Sequence, residues 1–304
     1  MPRVKSTQAS VIARYLGAPL HGKDVVVDRV DSLDAVAKGS LSFMQRYHEG
    51  VAAELNRIPG HFVLAEPAAA GRLRCSHIIV PDPRLAFARA AQQFFEEKHE
   101  ARIASSACVH SGALLGQNVQ IGNCSVIDED VRIGDECVIG DHVVLRSGSR
   151  IGKRCFILSQ AVIGEAGFGF DFADRVPVRI PHFGGVVIGD DVQIGCGTTV
   201  ACGTMNDTII EDHVKIDNLV HVAHNCVVGS GSIITSGVVL CGRTRVGRRV
   251  WIGPNAVVKE GGVSVGDDAL VGVGAVVLKS VKPRCVVFGN PALTVRERRK
   301  DEEF

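Results

Sequence analysis

Aromatic residues make up only 5% of this 304-residue sequence. Large rings usually carry much of a globular core, so this core must be built from something else. An excess of one charge is lacking too: 34 Lys and Arg stand against 33 Asp and Glu. That balance excludes the basic footprint of a nucleic-acid-binding surface. No run of 18 apolar residues occurs, so no membrane-spanning helix is expected. Arg3 and Lys5 are followed by no apolar stretch, and no signal peptide is expected. The ten Cys lack CxxC pairs and zinc-ligand spacing. Such scatter points to reduced thiols and a cytoplasmic setting.

What is abundant is glycine, with 34 residues, and a repeat. Stepping by six from Leu115 gives Ile121, Ile127, Ile133, Ile139, Leu145, Ile151, Ile157 and Ile163. The ladder resumes at Ile188, Ile194 and Val200, then runs from Ile210 to Val258. After a one-residue slip it continues through Val265, Val271 and Val277. Two residues before each rung sits a small or β-branched residue, such as Val119, Ser125, Val131, Cys137, Cys155 or Cys226. Three hexads make one 18-residue triangular coil, and stacked coils bury an aliphatic column. The pattern predicts a left-handed parallel β-helix over residues 106–292, with the small-slot cysteines as buried space-fillers.

Residues 1–105 lack the hexad and read as a small α/β domain. A helix is expected from Ser10 to Leu16, and strands at 25–30, 61–66 and 77–83. An amphipathic helix is expected over PRLAFARAAQQFFEEKHE, with Pro83 in its first turn. Residues 293–304 read as a short charged tail with a solvated helical end.

The ladder breaks twice. Residues 165–187 have no hexad pattern and read as a loop thrown out from the helix, carrying Phe168, Phe170, Phe172, His182 and Phe183. Four extra residues sit around Gly203, Thr204, Met205 and Asn206. Long ordered loops on a rigid scaffold are commonly functional; the alternative is an aromatic plug against a neighbouring subunit.

The densest polar cluster is IDNLVHVAHN, residues 216–225. His224 lies two places after the inward Val222, and Gly242 lies two places after Leu240. The separation, 242 − 224 = 18, is one coil. The ruler therefore stacks Gly242 on His224, about one strand spacing away. An imidazole can act as general base, and a backbone N–H beside it can hold an oxyanion. That pairing suits acyl transfer to an amine or a hydroxyl. Candidate substrate-binding residues are Asp217, Asn218 and Asn225 in this cluster, with Phe168, Phe170 and His182 in the loop. Plainer readings stand beside these: a solvated corner histidine, and Asn218 and Asn225 as turn residues. His213, His221 and His224 also leave a zinc reading open. A zinc protein like the γ-class carbonic anhydrases, or a non-catalytic scaffold, are the readings from other classes.

The chain resembles the UDP-3-O-acylglucosamine N-acyltransferases of lipid A, and hence lipopolysaccharide, biosynthesis. The resemblance is carried by SLSFM at 40–44, PDPRLAFAR, IGEAGFGF, RIPHFGGVVIGDDVQIG, NDTIIEDHVKIDNLVHVAHN and GVVLCG. It implies that His224 is the catalytic base and that Gly242 supplies the oxyanion amide. It also implies that Phe43 and Tyr47 meet the uracil of a nucleotide-linked aminosugar, Tyr47 only across a two-residue gap. The expected assembly is a homotrimer with sites between subunits. No permanently bound cofactor or metal is expected, and the co-substrate is an acyl-carrier protein or acyl-CoA thioester.

Departures accompany the resemblance. Ala201-Cys202-Gly203 stands for the family's Asp-Arg-Gly, and Arg146-Ser147 for its Tyr-His pair. VVKEGGVSVGDD offers no second histidine, and the family's long C-terminal helices find no counterpart. GAVVLKSVKPRCVVFGNPA resembles the close of acetyl-CoA-dependent sugar acetyltransferases. The donor is thus open between acyl-carrier protein and a short acyl-CoA. The latter reading makes the enzyme a nucleotide-sugar N-acetyltransferase of surface polysaccharide synthesis.

Overall fold

A computed structural model describes residues 6–96, 100–299 and 302. The chain divides into two units, residues 1–98 and 99–304.

In the first unit four strands pair in parallel in chain order: Arg29–Val30, Ser40–Met44, Phe62–Ala65 and Ser76–Ile79. The expected strand at 25–30 is split, because Val26–Val27 pairs instead with Thr7–Gln8. Helices α1 (Ala9–Tyr15) and α3 (Pro83–Phe94) pack with Leu41, Phe62, Leu64 and Ile78. Helix α2 (Glu49–Leu55) packs with Met44, Val63 and Ala65, which project from the other side of the sheet. Pro83 occupies the first turn of α3, and Asp82 caps it by accepting from the Leu85 N–H at 3.0 Å. Part of the expected stretch beyond Phe94, residues 97–99, lies outside the described residues.

The second unit is the left-handed β-helix. Its strands are mostly two residues long and form three parallel faces. The first face runs from Arg102–Ile103 through Leu270–Val271 to Cys285–Phe288. The second includes His221–Val222 and Val239–Leu240, and the third includes Val227–Val228 and Arg245–Val246. The repeat begins at Arg102–Ile103, paired 18 residues on with Gln120–Ile121, ahead of the first aliphatic rung in the sequence. From Ile121 on the rungs are buried, and so is nearly all of the small slot, Cys137, Cys155 and Cys226 among it at 0% exposure. Burial pushes the Cys226 thiol up to about 12. All ten cysteines are free thiols.

Each coil turns three corners. Most contain one residue in the left-handed region, as at Asn118, Cys124, Asp130, Glu136 and His142. The first corner follows the first face, and so on round the triangle. Every slip in the hexad falls on the second corner: between Ile163 and Ile188, between Val200 and Ile210, and between Val258 and Val265.

Two elements differ from expectation. The loop at 165–187 contains a hairpin, Phe170–Ala173 paired with Val176–Arg179. Asp174 and Arg175, both at positive φ, make its two-residue turn. Phe170 and Phe172 thus alternate with the period of a strand, and Phe168 precedes it. The tail is not a helical end: Leu293–Glu297 adds antiparallel to Cys285–Phe288. An unpaired strand edge recruits such a segment, and Thr294 and Val295 suit a strand. Arg298, 4% exposed, anchors it by donating to the Asp268 carbonyl at 3.2 Å.

Candidate active site

Four successive coils meet at the second corner. They contribute the 165–185 loop, the 201–207 loop, His224 with Asn225, and Gly242 with Arg243. Val222 pairs with Leu240, and the Arg243 N–H donates to the His224 carbonyl at 2.9 Å. A Cβ built on Gly242 would lie 2.7 Å from His224 Nε2, so the ring rests on the glycine. The Gly242 N–H donates to no acceptor among the described residues.

Asn225 fixes the histidine. It sits in the left-handed region, φ 61°, which its side chain tolerates. Its Nδ2 donates to the Asn206 carbonyl at 2.8 Å, which forces Oδ1 to the other side. There Oδ1 accepts from Thr204 N at 3.1 Å and Thr204 Oγ1 at 2.9 Å, and stands 3.1 Å from His224 Nδ1. A carboxamide oxygen only accepts, so Nδ1 carries the proton and the Nε2 lone pair faces Gly242.

His182 comes to the same place. Its ring lies 5.3 Å from that of His224, nearly perpendicular. Its Nδ1 donates to the Ile180 carbonyl at 3.0 Å, while Nε2 is shielded and has no partner among the described residues. Burial, with a smaller contribution from His224, holds its pKa below the usual imidazole value. Gly167 explains part of the GFGF signature: a Cβ there would meet His182 Nε2 at 2.9 Å and His224 Cβ at 3.1 Å. The two loops are laced together by Phe183 N to Thr204 O, 2.8 Å, and Gly184 N to Gly203 O, 2.9 Å. Arg146, which replaces the Tyr of the resemblance, is held by Glu165 at 2.9 Å and Asp128 at 3.5 Å on the same corner.

Other candidates lie apart. Asp217 and Asn218 turn the first corner, where Asn218 Oδ1 accepts from the Cys196 N–H at 2.7 Å. Phe168 and Phe170 touch each other, rings 4.8 Å apart, and Phe168 is 90% exposed. Phe43 packs on Phe87 and lines a cavity of about 490 Å³ with Asp31, Leu33, Gln45 and Arg46. Tyr47 is not among the residues lining it; Arg72 covers its ring at 4.7 Å. The three histidines of the zinc reading do not converge. His213 faces Asp191 at the third corner, and His221 bonds Thr199 from the second face at 2.7 Å. Among the described residues no three His, Cys, Asp or Glu side chains group as metal ligands. No described helix is long and apolar enough to cross a membrane. The sequence pattern missed Thr204 and Asn206, whose only signal was their place in a register break.

Comparison with known proteins agrees with this architecture. The bacterial transferase hexapeptide family (six repeats) matches residues 112–147, 130–165 and 207–242. The hexapeptide repeat of succinyl-transferase matches 243–279. Among solved structures, the UDP-N-acetylglucosamine O-acyltransferase of Moraxella catarrhalis aligns with a TM-score of 0.61 at 25% identity. It covers 65% of this chain and 75% of that one. The UDP-N-acetylglucosamine acyltransferase of Campylobacter jejuni aligns with a TM-score of 0.59 at 25% identity, over 66% and 80%. Sequence relatives are nearer. The UDP-3-O-acylglucosamine N-acyltransferase of Delftia acidovorans is 39% identical over 90% of this chain and 83% of its own length. That of Campylobacter curvus is 37% identical over 86% of each. The protein is an acyltransferase, and the chain belongs to the UDP-3-O-acylglucosamine N-acyltransferase family.

Proposed function

We propose that the protein moves an acyl group from a thioester to the amine of a UDP-linked aminosugar, with His224 as general base. The observation that carries this reading is the stacking at the second corner, His224 Nε2 over Gly242, whose N–H is uncommitted among the described residues. The amine lone pair attacks the thioester carbon, forming the C–N bond. His224 Nε2 takes one amine proton, and the Gly242 N–H donates to the oxyanion. Collapse breaks the C–S bond, and His224 returns the proton to the departing thiolate. Base catalysis of this kind supplies about 10²–10⁴-fold, and one oxyanion donor about 10²–10³-fold.

The Phe43 cavity is the proposed seat of the uracil. His182, Phe168 and Phe170 border the acceptor side, and Asn225 acts by orienting His224 rather than by touching substrate. The proposed assembly is the homotrimer the resemblance implies. The outward row of the second face supports self-association, since Val126, Val144 and Val162, and beyond Thr199 and His221 also Val239, Val257 and Val276, form two apolar runs.

The test is a screen for thiol release. Acyl-carrier thioesters and acyl-CoAs of several lengths are offered with a UDP-aminosugar and with its hydroxyl counterpart. Release that depends on the amine, with one donor class preferred by at least about tenfold, supports the reading. No release with any donor, or equal release with the hydroxyl acceptor, contradicts it.

A further inference from the structure

Beside Asn225 a cavity of about 510 Å³ opens on the third face, lined by Thr204, Asn206, Asp207, Arg243, Arg245 and other residues. Its two arginines differ from several others on the solenoid. Arg146, Arg150, Arg154 and Arg249 are each bound to a carboxylate. Arg243 and Arg245 are exposed, and neither has an ion pair or a side-chain hydrogen bond among the described residues. Asp207, the acid in the cavity wall, does not neutralise them: it is taken by Arg150 and by the Gly185 N–H. Two uncommitted guanidinium groups in a concave site suit a phosphate, which they can grip bidentately.

Position decides which phosphate. Arg243 follows Gly242 in the chain, and its N–H is bonded to the His224 carbonyl. The cavity therefore adjoins the reacting centre. In a sugar nucleotide with an amine on the carbon next to the anomeric one, four bonds separate that nitrogen from the nearest phosphorus, about 5 Å at ordinary bond lengths. In a pantetheine thioester roughly a dozen bonds intervene between sulfur and phosphorus, about 15 Å when extended. A phosphate site adjoining the base matches the acceptor and falls short of the donor.

We propose that Arg243 and Arg245 form the subsite for the diphosphate of the acceptor nucleotide, resting on the N-acyltransfer reading above. Thr204 and Asn206 complete the polar wall. The site makes the nucleotide an anchor that presents the amine to His224.

The test measures UDP and uridine binding calorimetrically on the full chain, together with steady-state kinetics. In R243A/R245A, UDP affinity is expected to fall roughly tenfold or more while uridine binding is unchanged. The KM for the aminosugar rises, and the donor KM and the kcat stay near wild type. Unchanged UDP affinity overturns the assignment, and so does a loss that falls on the KM of phosphopantetheine donors instead. If the alanine variant loses both ligands, R243K/R245K decides: retained uridine with weakened UDP supports the subsite, and wild-type UDP binding overturns it. A wild-type protein that neither binds UDP nor acylates the aminosugar overturns the reading beneath it, and the subsite with it.

Discussion

The three corners of the β-helix are built to different rules. At the first and third corners the residue after the aliphatic rung is mostly glycine, as at Gly122, Gly134, Gly140, Gly152, Gly195 and Gly247. A Cβ there would press within 2.7 Å of the next coil. The following N–H is then closed by a side chain of the adjoining coil: Asp135 on Gln117, Asp141 on Asn123, Asp190 on Lys153, Asn218 on Cys196 and Asp267 on Arg248. The second corner has Asp128, Arg146, Ala223, Cys241 and Lys259 after the rung, with a glycine at Gly164, and no such side-chain cap among the described residues. All the insertions fall there, as do His224 and Gly242. Sealed corners satisfy the backbone and stack the coils. The open corner leaves an amide and an imidazole for chemistry.

The contrast can be broken by mutation, and the largest effect is expected at His224. His224→Ala should lower kcat by about 10³-fold with the thermal midpoint nearly unchanged; thiol release followed beside a melting curve checks both. Asn225→Gly keeps the left-handed turn and removes the clamp on the imidazole. A loss of roughly ten- to a hundredfold in kcat, with little change in KM, is expected. A sealed corner should respond in the opposite way. Asp267→Ala frees the Arg248 N–H and costs about 1 kcal/mol of stability, seen as a lower denaturant midpoint, without altering kcat/KM. The smallest effect concerns the first unit, where burial holds the pKa of the fully buried His61 below its ordinary value. The unfolded chain then takes up a proton that the folded one resists. Stability from this group is present above about pH 6.5 and is lost as pH falls towards the folded pKa. Melting curves between pH 7 and 5 should show that slope weakened in His61→Phe.

Much of this was legible from spacing. The aliphatic ladder gave the coil, and the 18-residue ruler placed Gly242 on His224, because a solenoid turns sequence distance directly into space. The same ruler showed where the register slips. It did not show that all the slips share one corner with the base, which requires counting rungs modulo three. His182 was legible only as a loop residue, since the lacing of Phe183 and Gly184 to Gly203 and Thr204 crosses two irregular segments. The tail misled for a physical reason: its charged residues suggest a solvated helix, but the open edge at Cys285–Phe288 and the buried Arg298 decide for a strand. Phe43 and Tyr47 are neighbours in sequence, yet they pack in separate clusters.

The most direct measurement places one methyl group at each kind of corner. In Gly140→Ala the Cβ meets the Ser159 backbone N at 2.6 Å, whereas in Gly242→Ala it meets the end of the His224 ring at 2.7 Å. Backbone cannot yield without disturbing the stack; a side chain can. Thiol release and unfolding are measured on both variants. The predicted result is a Gly140→Ala protein less stable by about 1–3 kcal/mol with wild-type kcat, and a stable Gly242→Ala protein slowed at least about a hundredfold. A Gly242→Ala protein that transfers acyl groups at the wild-type rate would contradict the assignment of chemistry to the open corner.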